Sequence, residues 1–330
     1  MRSHHTVDPR KRLRRRSLPL LVLMLFTWGF PRVGFSAGNP RAQVKNGFDL
    51  NGSLVPVKEI RHGGPPRDGI PALDQPRFIP AASASYLKPD DRVLGMELNG
   101  IVKAYPIRIL DWHEIANDDF NGQPVVVTYC PLCGTGMAFS AQIGGSRLNF
   151  GVSGLLYNSD VLLYDRQTDS LWSQLLGKAI TGPLKGTELT LIPLRHTTWR
   201  AWKSEHPDTL VLSVRTGYSR NYLGTAYRGY DESGSLIFPV SHRDRRYHPK
   251  EQVIGIELDG EFKAYPFVEL ARTSGVIHDT VNGRTIKVVF DAENASAVAF
   301  DDAGKELPSV TGFWFAWVAF HPDTEVFQAG

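Results

Sequence analysis

Cysteine is scarce in this sequence: only Cys130 and Cys133 occur among 330 residues. Neither an HExxH nor a CxxCH pattern is present, which excludes the simplest metalloprotease and c-type haem sites. Low-complexity tracts are absent and charged residues make up 22% of the chain, so the composition is not that of a disordered protein. With 42% hydrophobic residues, the chain can bury a substantial core in one large domain or two smaller ones.

A strong excess of charge is also lacking once the N-terminus is set aside. Residues 1–37 hold eight basic residues and one acidic residue, a net +7, which leaves −4 for the rest of a chain whose total is +3. A mildly acidic protein gives no electrostatic reason to expect nucleic acid as a partner. The partner class left open is a small molecule or an unspecified protein of the cell envelope.

Long apolar runs are confined to the N-terminus. A basic stretch ends at Arg16, an apolar run covers residues 18–30, and small residues follow as far as Ala37. This is the layout of a secretory signal peptide, since the apolar run is too short for an ordinary membrane-spanning helix. Arg15-Arg16 also loosely fits a twin-arginine signal, so both the Sec and the twin-arginine route stay open. We therefore predict an extracytoplasmic protein, periplasmic or secreted, that reaches a membrane only if the signal stays uncleaved.

Beyond the lead-in, the sequence repeats itself. VLGMELNGIVKAYPI, beginning at Val93, recurs as VIGIELDGEFKAYPF from Val253, and HPDT recurs at His206 and His321. Several identities in the same order indicate an internal duplication. The second copy is 46 residues shorter between its matched segments. The predicted divisions are a signal peptide at 1–37, an irregular lead-in at 38–89, a first unit at 90–247 and a shortened second unit at 248–330.

The turn pattern predicts a mainly β protein, built from antiparallel barrel-like or sandwich-like units with few short helices. Hairpin turns are expected at three Asn-Gly or Asp-Gly pairs, at 99–100, 121–122 and 259–260. A helix from about Thr198 is expected to end near His206, which precedes a proline. The β-rich run PVVVTY, residues 124–129, leads directly into the first cysteine.

The duplication serves as an internal control, because positions kept in both copies are explained by the fold. The two cysteines align with Asp291 and Asn294, and His113–Glu114 lies opposite residues 274–275 with one residue of slippage. The thiols, the His-Glu pair and the 46-residue segment are thus absent together from the second copy. Their joint absence indicates that they form one site in the first copy and that the second has none.

Two interpretations of the thiol pair need no metal. A structural disulfide fits an exported protein, although a loop of four residues gains only about 2 kcal/mol. Thiol–disulfide exchange uses the same C-x-x-C spacing. The usual oxidoreductases place that motif at a helix N-terminus, whereas the residues from Thr135 read as a strand.

The third interpretation, binding of zinc or copper, is the one the sequence favours. CPLCG is the turn of a zinc knuckle, in which two thiolates bind one ion at about 2.3 Å. Only one knuckle is present, so further ligands come from elsewhere, and His113 is the first candidate. Met137 offers a thioether that suits Cu(I), although the sequence favours a core position for it over a ligand role. Further candidates for a polar pocket wall are Glu114, Asn158, Asp160, Arg166, Trp172 and Ser173.

Three long motifs give the chain a family resemblance. VTYCPLCGTGMAF, FGVSGLLYNSDVLLYDRQTDSLWSQ and TTWRAWKSEHPDTLVL, in that order, resemble the DUF3179 family of uncharacterised bacterial and archaeal proteins. The resemblance covers about residues 90–250, and the family's His-Glu pair corresponds to His113–Glu114. It implies that these motifs act as a unit, but it implies no activity or cofactor. Alternatives to metal binding are therefore a thiol–disulfide oxidoreductase or a non-catalytic envelope binding protein, and whether the protein is an enzyme stays open.

Overall fold

The structure, a computed structural model, describes residues 43–330 and is mainly β, as the turn pattern predicts. The predicted signal peptide lies outside the described residues, so the signal and its export route stay predictions. None of the helices in residues 43–330 is long and apolar enough to cross a membrane.

The elements are short and follow one another closely along the chain. The strands are β1 (Val44–Lys45), β2 (Phe48–Asp49), β3 (Arg61–His62), β4 (Phe78–Pro80), β5 (Arg92–Leu98), β6 (Ile101–Pro106), β7 (Ile115–Phe120), β8 (Gln123–Cys130), β9 (Thr135–Ser140), β10 (Gln142–Ile143), β11 (Ser146–Arg147), β12 (Phe150–Tyr157), β13 (Asp160–Asp165), β14 (Leu171–Ser173), β15 (Lys178–Ala179), β16 (Leu191–Ile192), β17 (Arg195–Thr198), β18 (Leu210–Leu212), β19 (Gln252–Leu258), β20 (Glu261–Pro266), β21 (Val276–Val281), β22 (Arg284–Asp291), β23 (Ser296–Asp301), β24 (Val310–Phe313) and β25 (Glu325–Val326). The helices are α1 (Ile107–Leu110), α2 (Trp199–Glu205), α3 (Phe267–Leu270) and α4 (Trp314–Phe320), with 3-10 turns at Val57–Glu59 and Ala81–Ser83.

Most strand pairs are antiparallel, and the sheets described in residues 43–330 stay open rather than closing into a barrel. The largest sheet has the order β25-β20-β19-β24-β9-β8-β7, with β16 also paired to β9. The other large sheets are β17-β5-β6-β18-β4 and β15-β14-β13-β12-β3, and β21-β22-β23 forms a smaller one. The sandwich-like version of the predicted fold is therefore favoured over the barrel-like version.

The two predicted units contain the same elements in the same order. The series β5-β6-α1-β7-β8-β9 corresponds to β19-β20-α3-β21-β22-β23, and β17-α2-β18 corresponds to β24-α4-β25. Pairing matches as well: β17 and β24 lie antiparallel to β5 and β19, while β18 and β25 lie parallel to β6 and β20. This agreement supports the duplication, which itself stays a prediction.

A glycine in each unit allows a tryptophan ring to lie directly against the strand. A Cβ atom on Gly95 would lie 2.3 Å from the ring of Trp202, and one on Gly255 would lie 2.2 Å from the ring of Trp317. Because carbon atoms cannot approach so closely, each ring would have to move. We expect Gly95→Ala and Gly255→Ala each to lower the free energy of unfolding by about 1–3 kcal/mol in urea titrations. Gly234→Ala, whose Cβ has no neighbour nearer than 3.8 Å, is the control, and equal stability of all three would contradict this packing.

Strand β8 is buried on both faces, which explains its continuous apolar run. Val125, Val127 and Tyr129 face a cluster that includes residues of β5, β6 and α1. Val126 and Cys130 face the opposite cluster, formed with β12–β14 and α4. The sheet β15-β14-β13-β12-β3 is built largely from the segment that the second unit lacks. That segment therefore covers the face of β8 that carries the first cysteine.

Candidate metal centre

Both thiols lie on one tight turn between β8 and β9. Cys130 ends β8, the amide of Cys133 donates to the Cys130 carbonyl at 3.2 Å, and Gly134 has a φ of 62°. The turn is also held by the second unit, because the Phe313 amide donates to the Cys133 carbonyl at 2.8 Å. Both cysteines are free and almost fully buried, at 1% and 0% exposure. The spacing thus places two thiols side by side in the core.

A carboxylate from the neighbouring sheet completes a group of three possible ligands. Asn158 and Ser159, at φ 51° and 65°, form the two-residue turn between β12 and β13. The Ser159 carbonyl accepts both thiols, at 3.8 Å from Cys130 Sγ and 3.4 Å from Cys133 Sγ. Asp160 follows, and one of its carboxylate oxygens and the two sulfurs all lie within 4.8 Å of one another. The three donor atoms are close enough to bind one ion.

The Asp160 carboxylate is only half satisfied by the protein. Its Oδ2 accepts a hydrogen bond from the Leu175 amide at 3.0 Å, whereas Oδ1 is buried and has no hydrogen-bond partner. Among buried side-chain nitrogen and oxygen atoms in residues 43–330, only this oxygen and the hydroxyl of Tyr230 lack a partner. An unpaired buried carboxylate oxygen is costly, so each such atom calls for an explanation.

Burial favours the protonated forms of the acidic groups of this site in the metal-free protein. It raises the pKa of Asp160 to about 7, although contacts with the Leu175 amide and the thiols act in the opposite direction. Burial also raises the pKa of Cys130 and raises that of Cys133 well above its usual range, with nearby negative charge adding to both shifts. A bound cation would reverse these effects, because it stabilises thiolates and carboxylates.

Glu114, directly before β7, is buried and has a strained backbone. Its φ is 58°, and its carbonyl accepts the Tyr129 amide at 2.7 Å. The second unit has Gly275 at the corresponding place, at φ 86°, accepting the Phe290 amide at 2.7 Å. The first unit therefore keeps a glutamate in a conformation that suits glycine, a kind of strain that clusters at functional sites. Burial is the main reason that the pKa of Glu114 is raised to about 8, and the charges of Asp160 and Asp111 add to the shift.

His113 is buried but is not placed in the group of possible ligands. Its Nδ1 lies 2.7 Å from the Pro71 carbonyl, and its Nε2 lies 2.7 Å from the Tyr222 hydroxyl. Both ring nitrogens are thus engaged by other segments of the chain, so the expectation that His113 is the third ligand stays a prediction that the geometry does not support. In the candidate set, Asp160 takes that position.

The remaining pocket candidates lie in other surroundings. Asn158 bonds to α4 and accepts the Ser241 amide, while Trp172 and Ser173 are fully buried in β14. Arg166 lies at the surface, where it pairs with a carboxylate of the lead-in. Met137 packs in the same core cluster as the cysteines, so its core interpretation is supported. Of the predicted wall residues, Asp160 is the one that the structure places beside the thiols.

Thiol–disulfide exchange is poorly supported by this arrangement. Strand β9 begins at Thr135, directly after the turn, so the prediction of a strand rather than a helix is confirmed. Both thiols are buried and their pKa values are raised, whereas an exchanging cysteine needs an accessible thiolate.

A long connection, which the sequence patterns did not associate with the site, covers it. Residues 213–251 contain neither strand nor helix, yet several of their side chains are buried. The Ser159 hydroxyl donates to the Phe238 carbonyl at 2.8 Å, and Tyr230 lies in the core cluster that holds both cysteines. No periodic pattern in the sequence signals this burial, because it depends on tertiary contacts alone.

Comparison with known proteins places the chain in context. A model of the family described as "Protein of unknown function (DUF3179)" matches residues 67–324. The match extends through most of the second unit, beyond the region covered by the three long motifs. No curated protein and no solved structure matches the chain.

Proposed function

Because the chain belongs to the DUF3179 family, whose description assigns no activity, we propose a function from the site itself: the protein binds a thiophilic metal ion at Cys130, Cys133 and Asp160. The observation that carries this proposal is the Asp160 carboxylate: one of its oxygens lies within 4.8 Å of both sulfurs, and its buried Oδ1 atom lacks a hydrogen-bond partner. A cation there would satisfy this oxygen and stabilise the two thiolates. In keeping with the predicted signal peptide, we propose that the ion is held outside the cytoplasm.

Zinc fits these donors better than copper. Zn²⁺ accepts thiolate sulfur and carboxylate oxygen together, in tetrahedral sites. Cu(I) prefers soft sulfur donors, so Asp160 is a poor ligand for it. Met137 lies in the same core cluster as the two cysteines. A copper site with three sulfur donors is therefore the alternative that an experiment must distinguish from the zinc site. Glu114, like His113, lies outside the group of close donor atoms, so the fourth position of a tetrahedral zinc ion is left to water.

Titration of the metal-free protein with zinc and with Cu(I) tests the proposal. We expect one zinc ion per chain, and we expect Asp160→Asn to weaken zinc binding at least about 100-fold, beyond the effect of a residue that only orients a ligand. The affinity for Cu(I) should change much less, because an oxygen ligand contributes little to that ion.

The control removes a buried carboxylate that lies away from the thiols. Asp118 pairs with Lys103 at 2.8 Å, and both side chains are 8% exposed. Asp118→Asn should lower stability but leave zinc affinity unchanged. Equal zinc affinity in wild type and Asp160→Asn would show that Asp160 is not a ligand.

A further inference from the structure

A cavity of about 400 Å³ lies along the largest sheet, where strands of the two units meet. Strands β9 and β16 of the first unit line it together with β19, β20, β24 and α4 of the second. The chain on either side of β15, residues 175–178 and 188–189, forms the rest of the lining. Most of the lining side chains are apolar or aromatic, among them Phe139, Leu189, Phe262, Val310 and Trp317. This size and composition are typical of a small-molecule site.

The corresponding place in the first unit is almost filled. There the cavity beside the matching tryptophan and the HPDT histidine measures only about 100 Å³. Arg195 lines it and pairs with Glu205 at 2.7 Å and with Glu306 at 2.6 Å. In the alignment that matches the two HPDT runs, Val310 and Phe320 take the positions of Arg195 and Glu205. The second unit therefore has an apolar cavity where the first unit has ion pairs.

His321 brings one polar group to this apolar lining. Its ring stacks on Phe262, with the ring centres 4.0 Å apart, and lies 4.3 Å from the ring of Trp317. Residues 43–330 give its ring nitrogens no hydrogen bond or ion pair, whereas His206 in the first unit lies 3.6 Å from Glu205. Burial lowers the pKa of His321 to about 4, so the imidazole is neutral at pH 7. A neutral imidazole can donate one hydrogen bond and accept another.

The charges around the cavity disfavour an anion. Lys178 is the only lysine or arginine among the lining residues, and it already pairs with Glu188 at 2.7 Å. Glu257, which also lines the cavity, adds a second carboxylate. A negatively charged ligand would lose its hydration and meet a net negative charge, which is costly without a counter-ion. An uncharged ligand avoids this cost.

We propose that this cavity binds a small, uncharged and largely apolar molecule that carries an aromatic ring and one polar group, with the polar group hydrogen-bonded to His321. The rings of Phe139, Phe262 and Trp317 offer the apolar and aromatic surface for such a molecule. None of the three proposed metal ligands lines the cavity, so this inference does not depend on the metal site.

Two related fluorescent probes test the proposal. N-phenyl-1-naphthylamine is uncharged, has a single N–H group and fluoresces strongly only away from water. It should bind the protein saturably, with one molecule per chain. The anion 1-anilinonaphthalene-8-sulfonate has the same ring skeleton with an added sulfonate, and it should bind at least about tenfold more weakly. Equal affinities for the two probes, or no saturable binding of the uncharged one, would overturn the proposal.

Val310→Arg locates the bound probe, because it introduces the residue found at this place in the first unit. The variant should bind N-phenyl-1-naphthylamine at least about tenfold more weakly than wild type. Val268→Arg, at a position in α3 that is 47% exposed, is the matched control and should bind it like wild type. Equal binding by Val310→Arg and wild type would place the probe elsewhere and overturn the proposal. If Val310→Arg does not fold, Leu191→Trp, which enlarges a half-buried lining residue, decides the question.

His321→Phe tests the hydrogen bond. The variant keeps an aromatic ring but loses both nitrogens, so it should bind N-phenyl-1-naphthylamine about threefold to tenfold more weakly. His206→Phe makes the same change at the matching place in the first unit and should leave the affinity for the probe unchanged. Wild-type affinity in His321→Phe would remove His321 from the proposed site.

Discussion

Replacing Cys130 or Cys133 by serine is expected to lower zinc affinity at least about 1,000-fold. Structural zinc sites bind their ion by roughly 10–16 kcal/mol, so each of a few ligands carries several kcal/mol, and a factor of ten corresponds to about 1.4 kcal/mol. A serine hydroxyl stays protonated and cannot replace the thiolate. Competition with a chromophoric chelator measures the affinity. Unfolding experiments should show a loss of only about 1–3 kcal/mol from placing a hydroxyl in the core.

The second unit supplies matched controls for these variants. Asp291 and Asn294 occupy the positions that correspond to the two cysteines, in the turn between β22 and β23. Asp291→Ser and Asn294→Ser should leave zinc affinity unchanged, as should Met137→Leu, which keeps the volume of a core side chain. A cysteine variant that binds zinc as tightly as these controls would show that the thiols are not zinc ligands.

Glu114→Gln is expected to stabilise the metal-free protein at alkaline pH by as much as about 5 kcal/mol more than at pH 4. Burial is the main reason that the pKa of Glu114 rises from 4.5 to about 8. Because the pKa of Glu114 is raised on folding, its contribution to stability is fully present below the pKa of the unfolded state, near 4.5. This contribution is lost as the pH rises through 8. Glutamine has no charge to bury and should be free of this loss. Urea titrations of the metal-free protein between pH 4 and 9 measure it.

Other buried groups also make stability depend on pH, so the variant must be compared with wild type at each pH. The pKa of Asp160 is also raised, to about 7, so its contribution to stability is lost as the pH rises, like that of Glu114. The contribution of His196 to stability changes with pH in the opposite direction, because burial and the charge of Arg92 lower its pKa to about 3. The stability that His196 contributes is fully present above pH 6.5 and is lost as the pH falls below that value. A difference in stability between Glu114→Gln and wild type that does not change with pH would contradict the burial of an ionisable Glu114.

Local signals predicted much of the fold. The Asn-Gly and Asp-Gly pairs at 99–100, 121–122 and 259–260 do form hairpin turns, because few residues accept the positive φ that these turns need. The Thr198 side chain caps α2 by accepting the Ala201 amide at 3.2 Å, and His206 follows the helix as expected. How the sheets stack could not be predicted, since stacking depends on contacts far apart in sequence.

The site was only partly predictable for the same reason. Cys130 and Cys133 were recognisable as a pair because three residues of chain keep them on one turn. His113 was expected to join them from its distance along the chain, but other segments engage both of its ring nitrogens. Asp160 was expected only as a pocket residue, since it reaches the thiols from a hairpin of a different sheet. Tyr230 lies in a connection whose irregular sequence predicts nothing about its burial.

X-ray absorption at the zinc edge, on protein isolated from its own cells under non-chelating conditions, tests the central claim most directly. The metal centre described above predicts one zinc ion per chain with two sulfur neighbours at about 2.3 Å and oxygen neighbours at about 2.0–2.2 Å. A metal-free protein in which Cys130 and Cys133 form a disulfide, or a bound metal without sulfur neighbours, would contradict it.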